Sequence, residues 1–418
     1  MALLFLCLIF GTGRTQKIEA AVQNVPESLE EESRLDTVGT DQETERAAVR
    51  EKKGQQEKEA GDTETDQAAA AQDELLAELD FDAIQQEVDS LLSSQQFSFA
   101  GTVRSLLQDG DPFRTFRAGN AVLSCAKTAF LAQKGLMKEL FLLVLAGAVL
   151  GSFSSLFEGK QVRDASFYMV YLLALALILK NFQSSGANLK AVITSLIAFM
   201  RILTPSYYLA AAAAGGASSA VMFYQMLLLV ILAVEKLLLA LVLPMIHIYL
   251  LIALVNDLSG EEILSHMTEL LETCVNGLLK SSLGVLVGMQ MIRNLIAPAL
   301  DSLRQMALWR TAGMIPGIGN AVNAVTELVA GSAVLIRNCF GVTAMLVLLA
   351  AGMVPAVQLL VSGLSFRLLA AAAQPVSDKR IAGCLAAAGK GYAMLLRLLL
   401  TVEVLFLLTI AILAGTFS

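Results

Sequence analysis

Few residues in this chain are placed to do chemistry, and most of them fall in the run Gly313-Met-Ile-Pro316-Gly-Ile-Gly319-Asn-Ala-Val-Asn-Ala-Val-Thr-Glu327, which continues to Arg337-Asn338. Pro316 and the neighbouring glycines make a flexible entry, and proline is compatible with the first turn of a helix, so the pattern predicts a helix beginning there. At 100° per residue, Asn320, Asn323, Glu327, Gly331 and Asn338 share about a third of the circumference, while Val322, Val325, Val329, Leu335 and Ile336 lie elsewhere. An otherwise apolar helix thus carries one polar stripe. A carboxylate near mid-membrane costs roughly 2.5–3.5 kcal/mol on insertion scales, so Glu327 is expected to avoid lipid. Two readings stay open. The stripe either lines a solvent-filled path or touches a partner subunit, or it is interhelical glue satisfied by Asn and Arg side chains.

The other reactive residue types form no catalytic set. There is no Walker A loop, GxSxG or HExxH, and no convincing carboxylate pair. His247 and His266 lie on different segments, without a Cys or carboxylate at ligand spacing. The five cysteines, Cys7, Cys125, Cys274, Cys339 and Cys384, contain no CxxC and read as small buried apolar residues. The expectation is a protein that is not an enzyme and needs no metal or cofactor. Glu235-Lys236, Arg293, Arg367, and Arg397 with Glu403 are further charges in apolar runs, read as snorkelling or pairwise neutralised.

The elements that must hold the stripe follow from composition. Of 418 residues, 56% are hydrophobic and 16% charged, against about 45–50% and 25% in soluble domains. The charge is uneven: residues 17–98 hold 22 Asp/Glu against 7 Lys/Arg, whereas the remainder is net basic. No basic patch suggests nucleic acid. Met1–Phe10 is an apolar run of signal-peptide length followed by Gly11, Thr12, Gly13 and Arg14, so residues 1–16 read as an export signal, though no Lys or Arg precedes the run and no A-x-A site closes it. Residues 17–71, rich in Glu, Gln, Thr and Ala, form an acidic tether expected to be disordered. Residues 72–134 are expected to be an extracytoplasmic amphipathic helical segment: Leu75, Leu76, Leu79, Ile84, Val88, Leu91 and Leu92 recur at helical spacing and need a partner surface, and Asp111-Pro112 marks a turn before the membrane.

Residues 135–418 form a multi-span transmembrane domain. The fold class is all-α, a multi-pass transmembrane helical bundle of about eight spans, near 139–157, 165–182, 190–212, 220–254, 281–300, 315–336, 339–372 and 392–415. Pro244 and Pro355 mark a kink or a division within the two longest runs. The loop 255–280 is expected to hold an amphipathic helix capped by Ser259 and Glu262, with Ile263, Leu264, Met267, Leu270, Leu271, Cys274, Val275 and Leu278 on one face. Its acidic other face suits a protein partner or the chain's own bundle better than anionic lipid. Loop charge puts the Lys180–Lys190 and Asp378–Lys390 loops in the cytoplasm and the acidic 255–280 loop outside. The basic residues Arg114 to Lys138 oppose that orientation, and the export signal takes precedence. Gly147-x-x-x-Gly151 and Gly284-x-x-x-Gly288 are candidate close-packing motifs.

The order Ile315-Pro316-x-x-Gly319, Thr326-Glu327-x-Val329, Leu335, Arg337-Asn338 and Gly341, with Ala371-x-x-Gln374-Pro375-x-x-Asp378 and Phe97-Ser-Phe99 further off, resembles the stage III sporulation protein AE family over about residues 73–418. The resemblance implies a subunit of a multi-protein channel linking mother cell and forespore, in the mother-cell membrane around the forespore. It also implies companion stage III sporulation membrane proteins, an associated ATPase and a forespore-membrane partner. Two positions depart from the family pattern: Ala324 stands where an acidic residue is expected, leaving Glu327 alone, and the 17–71 tether is longer. The competing expectations are a stand-alone secondary transporter, prompted by the Pro316/Gly317/Gly319 break, and a membrane scaffold without a pore.

Overall fold

A computed structural model describes residues 80–92, 97–109, 118–154, 160–213, 218–259, 264–312, 319–375 and 377–415, all within one compact unit, Thr65–Ser418; within 319–330 the backbone alone is described. The export signal, the tether and Leu75, Leu76 and Leu79 lie outside these residues, as does Pro316. Every regular element among the described residues is helical.

Two short amphipathic helices come first, α1 (Phe81–Leu91) and α2 (Phe99–Asp109). Asp80 caps α1, its Oδ1 accepting from the Ala83 N–H at 3.1 Å, and Ser98 caps α2, its Oγ accepting from Gly101 N–H at 3.1 Å. Gln85 ties the pair: its Nε2 donates to the Phe97 carbonyl at 2.7 Å and its Oε1 accepts from the Phe99 N–H at 2.8 Å. The partner surface the periodicity calls for is the chain's own bundle. Ile84, Val88 and Leu92 are buried, and α1 and α2 lie against α4 (Lys160–Ala213) and α8 (Gly319–Ala373).

The long helices are α3 (Ala118–Ser154), α4, the run of α5 (Ser218–Leu237) and α6 (Leu243–Ser259), α7 (Ser265–Ala312), α8, and α9 (Lys379–Gly415). Between α5 and α6 the helix widens to a π turn, Leu238–Val242, where the Leu243 N–H reaches back to the Leu238 carbonyl. Pro244 gives the reason: its ring would crowd the carbonyl four residues back and it has no N–H to offer, so a wider turn relieves the clash. Pro205 and Pro355 are absorbed within α4 and α8 without ending either helix. Thr204, Thr343 and Thr409 satisfy their hydroxyls by donating to carbonyls four residues back, at 2.6 to 2.8 Å.

Among the described residues five segments are long and apolar enough to cross a membrane: Tyr168–Tyr207, Gln225–Ser259, Ser265–Ile292, Gly331–Ala373 and Lys379–Ile412. This departs from the span list. The pair 165–182 and 190–212 is one helix, so the Lys180–Lys190 loop is helical, and 315–336 with 339–372 also falls on one helix. The amphipathic segment at 255–280 and the 281–300 span are joined in α7. Ser259 is the last residue of α6, its hydroxyl donating to the Asn256 carbonyl at 2.8 Å, and Asn256 Oδ1 accepts the Leu264 N–H at 2.8 Å at the start of the next helix; Glu262, the expected partner of Ser259 in a capping box, lies outside the described residues.

α8 and α9 form the tightest pair, crossing antiparallel with Gly363 against Tyr392 and Gly389 against Arg367. Of the two small-residue motifs, Gly147 does bring α3 against α4, since a Cβ there would fall 3.0 Å from Val170; Gly284 and Gly288 face open space.

Candidate functional site

The described members of the polar stripe separate. Gly331 and Asn338 are exposed, as is Leu335 one turn above Gly331, so the 331–335–338 face is an outer face of α8. Arg337, one residue from Asn338 and therefore about 100° round the helix, is 1% exposed and donates from Nη2 to Asn338 Oδ1 at 3.4 Å. Next to it Phe340 is fully buried, meeting Phe99 edge-on at 5.0 Å between centroids, with Phe81 at 6.3 Å and Tyr207 at 6.2 Å. The docked α1–α2 pair thus sits on the start of the 331–373 span, over the side of α8 opposite its exposed polar positions. Gly319, Asn320, Asn323 and Glu327 lie on the first turns of α8.

A second polar assembly lies deep in the bundle. Tyr392 of α9 accepts from Asn181 Nδ2 at 2.7 Å and approaches Ser185 Oγ at 3.3 Å, both on α4. Its ring stacks on Phe366 at 5.3 Å and meets Phe182 edge-on at 5.2 Å. Phe182 in turn meets His247 of α6 at 5.3 Å, and His247 Nδ1 bonds the Leu243 carbonyl at 2.8 Å. The imidazole lies over Gly186, where a Cβ would come within 2.6 Å of Nε2. Four helices therefore meet here: α4, α6 and α9 through two hydroxyls, one amide and one imidazole, and α8 through the Phe366 ring. Each polar group finds a partner inside the bundle, which is how polar side chains survive in helices that cross lipid.

One end of the bundle gathers a third set. Lys390 of α9 forms an ion pair with Glu272 of α7, and Arg397 Nη1 donates to Asn276 Oδ1 at 3.1 Å. Arg380 Nη1 reaches the Leu258 carbonyl at 3.5 Å, Tyr171 OH donates to the Leu254 carbonyl at 2.6 Å, and Gly383 packs on Asp257. Segments 254–276 and 378–397 thus touch. The assignment of the acidic 255–280 segment to one side and the 378–390 segment to the other is overturned: the charge count treated Lys390 and Glu272 as free loop charges, whereas they neutralise each other.

Two carboxylates stand apart. Glu235 of α5 is fully buried with neither oxygen bonded to a described residue, and its sequence neighbour Lys236 is exposed, so the two do not pair. Glu403 of α9 is 7% exposed and rests on Gly352 of α8, where a Cβ would fall 2.5 Å from its carboxyl carbon. The expected Arg397–Glu403 neutralisation is absent because Arg397 turns to Asn276. Of the described cysteines only Cys384 is buried; Cys274 is exposed on the outer face of α7, with Met267 and Leu270 of the same predicted apolar face.

Sequence reasoning missed Tyr392, Asn181 and Ser185, because a tyrosine in an apolar run and polar residues read as a loop carry no sign that they meet. Gly352 facing Glu403 was equally silent.

Compared with known proteins, residues 97–416 match the family model described as stage III sporulation protein AE. The protein named "Stage III sporulation protein AE" of Bacillus subtilis (strain 168) is 22% identical over 291 residues, covering 69% of this chain and 73% of that one. No solved structure matches.

Proposed function

The chain belongs to the stage III sporulation protein AE family, and from that premise we propose that it is a non-enzymatic integral membrane subunit of a channel complex between mother cell and forespore, needed for late forespore development. The observation that carries this reading is the extent of the family match. It begins at Phe97 and ends at residue 416, taking in α2 to α9 and every membrane-crossing segment described. The protein sits in the mother-cell membrane around the forespore and works by assembly with other stage III sporulation membrane proteins, an associated ATPase and a forespore-membrane partner. The energy source belongs to a partner, since the sequence carries no nucleotide-binding or hydrolytic motif.

The signature stripe is the contact in this reading. Positions 327, 331 and 338 fall on one face of α8, and the exposure of Gly331 and Asn338 supports a stripe turned toward a subunit or water in preference to internal glue. Replacing Glu327 with Gln is expected to lower heat-resistant spore yield by tenfold or more while the protein accumulates normally. Deleting the gene should arrest development after engulfment and leave vegetative growth unchanged. Wild-type spore yield in the Glu327→Gln strain would remove the stripe from the mechanism, and a vegetative growth defect in the deletion strain would remove the channel reading itself.

A further inference from the structure

We propose that Glu403 and the Pro355 turn of α8 form a binding site for a monovalent cation, a proton or an alkali-metal ion, inside the helix bundle. Three observations converge on it. Glu403 is more than nine-tenths buried within the Lys379–Ile412 span and makes no hydrogen bond or ion pair with any described residue. Its carboxyl group rests on Gly352, a position where any side chain would occupy the same space. Three residues further along α8, Pro355 withholds the N–H that a helix would give to the Ala351 carbonyl, the peptide oxygen next to Gly352.

A carboxylate withdrawn from water needs a counter-charge or a proton, because its hydration is not replaced by apolar neighbours. Among the described residues none supplies a cation to it. On α9, Arg397 is given to Asn276 and Lys390 to Glu272. On α8, Arg337 and Arg367 each lie about 22 Å along the helix from Gly352. The remaining described charged and titratable groups on α9 and the helices packed against it are Lys379, Arg380, Cys384 and Tyr392 on α9 itself, Cys339 on α8, Tyr168, Tyr171, Lys180, Lys190, Arg201 and Tyr207 on α4, Glu235 and Lys236 on α5, His247, Tyr249 and Asp257 on α6, and His266, Glu269, Glu272, Cys274 and Lys280 on α7, and none of them pairs with Glu403. What is on offer is one anionic oxygen pair and one neutral peptide oxygen released by a proline. Oxygen donors of this kind suit hard monovalent cations, and carbonyls at interrupted membrane helices are a recurring way of holding Na⁺ or H⁺.

The inference does not depend on the channel reading, since binding is measurable on the purified chain. The full-length protein in nanodiscs would be followed by infrared difference spectroscopy, with the Glu403 carboxyl band identified by its loss in Glu403→Gln. A band that moves when NaCl replaces choline chloride at fixed pH assigns an alkali-metal site. One that moves only when pH is changed in choline assigns a proton site. Pro355→Ala, which restores the helical donor and leaves the carboxylate in place, is expected to weaken the response at least tenfold in ion concentration. If Glu403→Gln does not fold, the thermal midpoint of the wild type in NaCl and in choline chloride across a pH series replaces the band. A carboxyl band, or a midpoint, indifferent to both sodium and pH overturns the proposal, as does a Pro355→Ala response equal to wild type.

Discussion

At the scale of single residues, the contacts that hold this bundle are those in which a polar side chain meets a missing one. His247 over Gly186 is the clearest case: the imidazole occupies the space a Cβ would take, and the bond from its Nδ1 to the Leu243 carbonyl fixes the ring in that place. Gly186→Ala is therefore expected to destabilise the protein by about 1–3 kcal/mol, the usual cost of overpacking a filled interior. Adding His247→Ala should return much of that loss, because the clash is with the ring; thermal unfolding of both variants in detergent checks it, and equal midpoints for the single and double variants would show that the ring can move aside. Little of this was legible beforehand. Glu235 and Glu403 were visible as charges in apolar runs, but their neighbours were assigned by sequence proximity, Lys236 to the first and Arg397 to the second, whereas helix geometry points adjacent residues about 100° apart and residues six apart about 120° apart. The stripe, left open between a hydrated or partner-facing path and interhelical glue, divides at its described end: Gly331 and Asn338 are exposed, while Arg337 turns inward.

Elements divide into those whose pattern is local and those whose continuity is set by neighbours. The α1 repeat of Ile84, Val88 and Leu92 announced a buried face, and that face is buried. The polar stretch from Lys180 to Lys190 looked like a break between spans, yet it is helical throughout because Asn181 and Ser185 find Tyr392 on α9 and Gly186 admits His247 from α6. A hydropathy window counts polar groups without knowing whether each has a partner on another helix. The short helices offer a direct test. Gln85 bonds both the Phe97 carbonyl and the Phe99 N–H, so Gln85→Ala leaves two backbone groups at the α1–α2 junction without that partner and should cost about 1–3 kcal/mol locally. Faster amide exchange at Phe99, with the exchange of α9 unchanged, is the expected signature; slow exchange at Phe99 in the variant would mean the aromatic contacts with Phe340 suffice.

For the molecule as a whole, membrane orientation is the property that loop charges misjudged. The Glu272–Lys390 pair and the reach of Arg380 to the Leu258 carbonyl put the α6–α7 junction and the α8–α9 junction at one end. Single cysteines introduced by Ser259→Cys and by Asp378→Cys, in a background lacking the five native cysteines, are expected to react with a membrane-impermeant maleimide from the same side; labelling from opposite sides would refute the arrangement. The all-helical class was legible from composition, since only helices satisfy their own backbone in lipid at these run lengths. The number of crossings was not, because runs were cut wherever polarity rose.

The segment Gly331–Ala373 is 43 residues of unbroken helix, about 64 Å at the usual rise. Even leaning at about 40°, the steep end of membrane-helix inclination, such a rod covers roughly 50 Å along the membrane normal, against about 40–45 Å for a bilayer with its headgroups. Part of it must stand proud, and the projecting length is mechanically one piece with the length in the acyl chains. A neighbouring molecule that grips the projection takes hold of a handle, and any push or twist applied outside the bilayer is delivered to its interior without passing through a hinge loop.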